Sequence, residues 1–255
     1  MRMPPIQRQL SQVIGINVDV GSIEGLSDHI VDIAKKAAKK AYICVANVHM
    51  LTIARSDPHF GEVLKDASLV APDGMPLVWT QKKKGFANAQ RVSGPDLMLH
   101  LCELAVKNHL SIYLLGASER TLELLSENLL QRFPNLKIVG THSPAMLPEK
   151  PKLDQDLAER INQSSASILF VGLGCPKQEY WCNSHAPNLN AVAIGVGVAF
   201  DFHAGTKKRP PLWVQQSGLE WLYRLLSEPR RLWKRYFITN TAFIYYSLLD
   251  LVKRK

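Results

Sequence analysis

SILFVGLGCPKQEYWCNSHAPNLNAVAIGVG, residues 167–197, contains two short apolar runs, SILFVGLG (167–174) and NAVAIGVG (190–197), joined by a polar and aromatic segment. Neither run shows the apolar-polar alternation of a half-exposed strand. Both are apolar almost throughout, the pattern of parallel strands covered on two faces. Outward from this pair lie five more strand-like runs: VIGINVDV (13–20), AYICVAN (41–47), SLVAP (68–72), SIYLLG (111–116) and LKIVGT (136–141). Helical stretches fall between them, at 22–39, 94–107, 119–132 and 152–162. Strands alternating with helices predict an α/β fold, an open parallel sheet with helices on both faces.

The chain has 255 residues, 46% hydrophobic and 21% charged, ample for one sizeable core. No apolar run reaches the roughly 18 residues of a spanning helix, and the first ten residues, MRMPPIQRQL, lack an apolar signal region. A cytoplasmic protein is the expectation. Cys44, Cys102, Cys175 and Cys182 form no C-x-x-C pair, which argues against zinc and against a disulfide framework.

Charge is uneven. From Lys207 onward there are 11 Lys+Arg against 3 Asp+Glu, net +8, which leaves +1 for the first 206 residues. The predicted organisation is therefore a nearly neutral α/β body, 1–206, and a basic amphipathic appendage, 207–255. KKRPP (207–211) is the hinge, since its prolines continue neither helix nor strand. Beyond it GLEWLYRLLSEPRRLWKRYF carries apolar and basic residues at helical spacing, with Pro229 separating two helices. Trp213, Trp221, Trp233 and Tyr236 are rings suited to a membrane interface, and FITNTAFIYYSLLDLV (237–252) is too short and too interrupted to span. An excess of this kind suits phosphates or anionic lipid.

Ligands of open α/β sheets bind beyond the carboxyl ends of the strands. The residues there are Asn47, Asp73, the 116–119 turn, the Gly174-Cys175-Pro176 turn, and Gly195-Val196-Gly197. Asp73 places a carboxylate at the crevice, with helix capping as its ordinary alternative. Gly174 and Pro176 open a helix whose first N–H groups can face an anion. Gly195 and Gly197 would let a nucleotide approach the backbone, or simply allow close packing. The one D-x-D, Asp154-Gln155-Asp156, falls at the polar start of a helix and reads as a solvated face, so no metal site is expected.

VAPDGMPLVW (70–79), VGLGCPKQEYW (171–181) and GVGVAFDFHAGTKKRPPLWVQQSGLEWLYRLLSEPRR (195–231), in this order, resemble the WecG/TagA/CpsF family of bacterial glycosyltransferases over nearly the whole chain. The resemblance implies a Rossmann-like body and an inverting, metal-independent transfer. The sugar, of the N-acetylmannosamine type or a related hexose, passes from a UDP-sugar to a polyprenyl-diphosphate-linked acceptor in cell-surface polysaccharide synthesis. No cofactor is implied.

Asp73 falls on the family's proposed base, the group that takes the acceptor hydroxyl proton. Asn47 matches the Asn of a Thr-x-Asn segment, whereas Val45 replaces its Thr; His49, two residues on, either restores some polarity there or, the more frequent case, is a capping or surface histidine. Arg91 matches a basic residue suited to phosphate. Gln178, in G-x-P-K-Q-E, is expected to contact sugar or uracil, and Glu179 to be structural. Without a metal, the departing UDP needs cations, and Arg209, Arg224, Arg230 and Arg231 offer them. Arg224 and Arg231 match family arginines, while Lys234 stands where Arg is common. The resemblance also implies an enzyme peripheral to the inner face of the cytoplasmic membrane, docked on anionic lipid by its appendage, with homo-oligomerisation left open.

Two other classes compete. A non-enzymic nucleic-acid-binding protein would use the basic aromatic tail, with pI ≈ 9.4, but gives the strand-end residues no role. A nicotinamide- or methyl-donor-dependent enzyme would use the turn in YLLGASERTLELL (113–125), which lacks G-x-G-x-x-G.

Overall fold

The computed structural model describes residues 8–36 and 41–252, so Lys39, the expected end of the first helix, lies outside the described residues, as do Lys253 to Lys255. The chain opens with β1 (Gln9–Val13) and β2 (Ile16–Val20), paired antiparallel as a two-stranded sheet of their own. This corrects the single strand expected over 13–20. Ile14 (φ 40°) and Gly15 (φ 90°) turn the chain back within an apolar run that carries no polar break.

Next come α1 (Ile23–Lys35), β3 (Tyr42–Ala46), α2 (Val48–Ser56), α3 (Pro58–Lys65), β4 (Leu69–Pro72), α4 (Met75–Lys83), α5 (Gly94–Lys107), β5 (Ser111–Gly116), α6 (Glu119–Arg132) and β6 (Lys137–His142). Then follow α7 (Gln155–Gln163), β7 (Ile168–Gly172), α8 (Lys177–His185), β8 (Val192–Gly195), α9 (Ala199–His203), α10 (Leu212–Gln216), α11 (Glu220–Ser227) and α12 (Pro229–Val252). The six strands β3 to β8 form one parallel sheet in the order β4-β3-β8-β7-β5-β6. The expected open parallel sheet is what forms, and its two most apolar strands, β7 and β8, occupy its middle.

Side-chain alternation sorts the core into two layers. Tyr42, Cys44 and Ala46 of β3, with Leu169 and Val171 of β7, face α2, α3, α7 and α8, where Phe60 and Trp181 are buried. Ile43, Val45, Ile168, Phe170 and Ile194 point the other way, onto α1, α5, α6 and α9. A sheet apolar on both faces needs helices on both, and they are present. Serine or aspartate side chains cap five of these helices, Ser22, Asp57, Ser93, Ser118 and Asp154 each accepting an N–H of the following first turn.

Asp19 seals the β4 edge. Its fully buried carboxylate accepts the Val70 N–H at 2.7 Å and pairs with Arg8. At the other end of the chain, Glu228 and Pro229 separate α11 from α12, as the Pro229 break predicts. The distinct helix α12 then lies against α2, where Thr52 Oγ1 donates to the Thr239 carbonyl at 3.3 Å and Phe243 joins the core. Among the described residues no helix is long and apolar enough to cross a membrane.

Candidate active site

The order β4-β3-β8 sets the carboxyl ends of three strands side by side. Asp73 follows β4, Asn47 follows β3, and Gly195 to Gly197 end β8. The Asp73 N–H continues the ladder by donating to the Ala46 carbonyl at 2.7 Å, and Gly74, at φ 135°, turns the chain into α4. No side chain caps α4. The Asp73 carboxylate instead meets Arg91, whose Nε and Nη2 donate to Oδ1 at 3.2 and 3.1 Å. The same Nη2 pairs with Glu220 of α11.

These three groups line a cavity of about 500 Å³ between the strand ends and the C-terminal helices. Asn47, His49, Asp73 and Arg91 form a polar part; Met75, Trp79, Phe243, Ile244 and Leu248 form an apolar one. Arg224, Trp221 and Tyr236 come from α11 and α12, the two rings meeting edge to face at 5.9 Å. Trp221 and Tyr236 therefore face this cavity, while Trp213 and Trp233 are exposed at 67% and 59%. Arg224 also borders a smaller recess with Lys207, Lys208 and Tyr223.

The electrostatics favour a basic carboxylate. Burial raises the Asp73 carboxyl above its ordinary range; Arg91 pulls it down, Glu220 pushes it up again, and the net shift is upward. His49 is lowered to about 4 by burial and by the charge of Arg235, so a neutral imidazole faces the cavity near pH 7.

The other expected site residues divide. Asn47 lines the cavity, and its side chain also accepts the Met50 N–H at 3.2 Å as the N-cap of α2. Gln178, Gly195 and Gly197 lie outside the cavity lining and pack on one another. A Cβ on Gly195 would stand 3.0 Å from Gln178 Nε2. Gln178 is buried, with Oε1 accepting the Gly174 N–H at 3.2 Å and Nε2 donating to Glu179 at 2.7 Å. Arg209 is held away from the cavity by Asp96 and Ser93. Arg231 lies in α12, and its side chain is outside the described residues. Asp154 caps α7 through the Leu157 N–H at 3.0 Å and does not line the cavity. Glu220 was not among the expected residues, although it is one of three acids in a tail of 11 cations, and that contrast was its signal.

A profile of the glycosyl transferase WecG/TagA/CpsF family matches residues 11–255. An N-acetylglucosaminyldiphosphoundecaprenol N-acetyl-beta-D-mannosaminyltransferase of Staphylococcus aureus (strain MW2) is 28% identical over 245 residues, covering 95% of this chain and 93% of its own. The enzyme of the same name from strain MRSA252 shows the same identity and coverage. With a strand-end carboxylate and arginine under a helical C-terminal segment, and a family match along nearly its entire length, this chain belongs to the WecG/TagA/CpsF family of glycosyltransferases.

Proposed function

We propose that the protein transfers an N-acetylmannosamine-type sugar from a UDP-sugar to a polyprenyl-diphosphate-linked sugar, with inversion and without a metal. The observation that carries this reading is Asp73, raised in pKa and held by Arg91 in the lining of a cavity with one polar and one apolar part. The polar part suits the reacting sugars and a diphosphate; the apolar wall of Trp79, Phe243, Ile244 and Leu248 suits the first units of a prenyl chain.

In this mechanism Asp73 takes the proton of the acceptor hydroxyl as that oxygen attacks the anomeric carbon. The bond from that carbon to the UDP oxygen breaks, and UDP leaves with the electron pair. The relatives' names specify a β product, which from an α-linked UDP-sugar requires attack on the face opposite the leaving group. Negative charge on UDP meets Arg224, with Arg231 as a further candidate and Arg209 one only if released from Asp96, in place of a metal. Val45 stands without the hydroxyl that the family's Thr would supply, and His49 is the nearby group able to hydrogen-bond a sugar hydroxyl. Gln178 contacts the donor only if its amide is freed from Gly174 and Glu179.

Residues 1–206 serve as the catalytic body and 207–255 as the membrane-associating part. Exposed Trp213, Trp233 and Phe237, amid basic residues, support docking on an anionic surface at the inner face of the cytoplasmic membrane. The tail then needs no nucleic acid to explain its charge. A panel of UDP-sugars assayed for UDP release with a short-prenyl diphosphate-linked N-acetylglucosamine tests the function. Turnover with UDP-N-acetylmannosamine supports it, and no turnover with any donor refutes it.

A further inference from the structure

Arg91 holds two carboxylates at once. One belongs to Asp73, just after β4, the other to Glu220 at the first position of α11, 129 residues beyond Arg91 in the chain. All three side chains are largely enclosed, with exposures of 24% for Asp73, 17% for Arg91 and 19% for Glu220. Both Asp73 hydrogen bonds from Arg91 end on Oδ1, and Oδ2 accepts none from the described residues.

An arginine beside a general base is a mixed asset, because a full positive charge stabilises the carboxylate and weakens it as a proton acceptor. A second carboxylate on the same guanidinium reverses part of that effect. It draws Nη2 toward itself and returns a negative charge to the neighbourhood of the base.

We infer that Glu220 is a positioning residue for the reaction: it holds Arg91 from the side of α11, so that Asp73 is oriented through Oδ1, stays basic, and keeps Oδ2 for the acceptor hydroxyl. The inference rests on the reading of Asp73 as the base. It gives α11 a role besides supplying Arg224, since seating this helix adds the charge that tunes the base. The other charged or titratable groups around Asp73 are Arg224 on α11, His49 on α2, Lys83 on α4, and Arg235 and Tyr236 on α12, with the charge of Asp96 of α5 acting on Arg91. Arg224 and Arg91 both pull the Asp73 carboxyl down, and Glu220 is the side chain that pushes it up.

The test is a carboxyl-carbon NMR titration of the full chain labelled at aspartate, with the Asp73 signal assigned by its loss in Asp73→Asn, which also reports whether transfer depends on Asp73. Glu220→Gln keeps an oxygen for Arg91 and removes the charge, so the Asp73 midpoint should fall by about one pH unit. The acidic limb of kcat/KM for the acceptor should move with it. Glu220→Asp retains the charge and should leave the midpoint nearer that of the parent, even if its shorter reach lowers turnover. Arg91→Gln should move the midpoint the opposite way.

An Asp73 midpoint unchanged in folded Glu220→Gln, or moved equally by Gln and Asp, would overturn the inference and leave Glu220 as a docking contact. Normal transfer by Asp73→Asn would instead overturn the reading of the base, whatever Glu220 does to the midpoint.

Discussion

Arg209 grips Asp96 with both ends of its guanidinium, Nη1 and Nη2 each standing 2.7 Å from a carboxylate oxygen, with Ser93 Oγ 3.3 Å from Nη2. This fork ties the Lys207–Pro211 hinge to the first turn of α5, adding a charge pair to the burial of Pro210 and Val214 along the path toward α11. Burial alone would raise the Asp96 carboxyl, but the hydrogen bonds from Arg209 and Ser93 outweigh it and the net shift is downward.

Arg209→Ala should therefore lower stability at pH 7 by about 1 kcal/mol, a modest figure because Asp96 is nearly half exposed. A depressed carboxyl contributes stability above its unfolded pKa of about 4 and loses it as the pH falls through the lower folded value. The difference between Arg209→Ala and the parent in urea titrations should accordingly shrink below about pH 4. A difference that persists unchanged at acid pH would show that the side chain acts by packing. Loss of UDP-sugar affinity with no change in stability would instead support a direct role at the donor.

Asp73→Asn preserves size and removes the carboxylate proposed as the base. Turnover should fall roughly 10²- to 10⁴-fold with little change in UDP-sugar affinity. Stability should move the other way. A carboxyl raised by folding contributes most below its unfolded pKa, and that contribution is lost as pH rises through the folded value, so the ionised form is a cost at neutral pH. The variant should melt at or above the parent's temperature at pH 7. Lower stability together with lower turnover would point to a structural role for the carboxylate.

Glu179 is fully buried behind the site, and burial raises its carboxyl to about 7 against the opposing pull of the Gln178 amide and the Cys175 thiol. Its stability contribution is complete below about pH 4 and is lost as pH rises through about 7. Glu179→Gln should thus become progressively more favourable, relative to the parent, between about pH 4 and pH 8 in thermal melts. A constant difference across that range would contradict the raised value. Because Glu179 also orients Gln178, reduced donor affinity in this variant would support Gln178 as a ligand contact.

The sheet is legible in the sequence because β7 and β8 are apolar on both faces, as parallel strands covered by helices on both sides are. The hairpin is not. Ile14 adopts a left-handed turn conformation that β-branched residues rarely take, so nothing in VIGINVDV except Gly15 marks the reversal. Helices α2 and α3 are short and fall outside the helical stretches read from the sequence, and α4 enters only as the helix Asp73 would cap; the Asp57-Pro58 start of α3 is an available cue.

Asp73 and Asn47 are legible because each follows a strand end, where α/β ligands gather, whereas Arg91, in the loop before α5, is legible only through the family resemblance. Glu220 is not, because its partner lies 129 residues away and spacing says nothing about such a pair. Gln178 was read from its motif, but the packing of its amide on Gly195 depends on strand order, which local sequence does not reveal.

The C-terminal helices carry the last prediction, that they both attach the enzyme to membrane and complete its site. Attachment rests on the net +8 of residues 207–255 and on outward-facing Trp213, Trp233 and Phe237, with about 1 kcal/mol from each basic residue near an anionic surface. It should weaken as salt is raised. Completion rests on Arg224 and Glu220 reaching the cavity that holds Asp73.

A chain ending at Gly205 keeps all six parallel strands and nearly all of both core layers, losing Phe243 and the cover over α2. It should fold with reduced stability, yet lose liposome binding and nearly all transfer. Arg224→Lys and Arg231→Lys separate the two roles, since each retains charge for the lipid but cannot make a forked phosphate contact. In vesicles containing anionic lipid, both variants should sediment like the parent, while turnover falls at least tenfold. Full activity of the shortened chain on a soluble acceptor would refute completion and leave these helices as an anchor. Loss of sedimentation in the lysine variants would show that the arginines act at the membrane rather than on the leaving diphosphate.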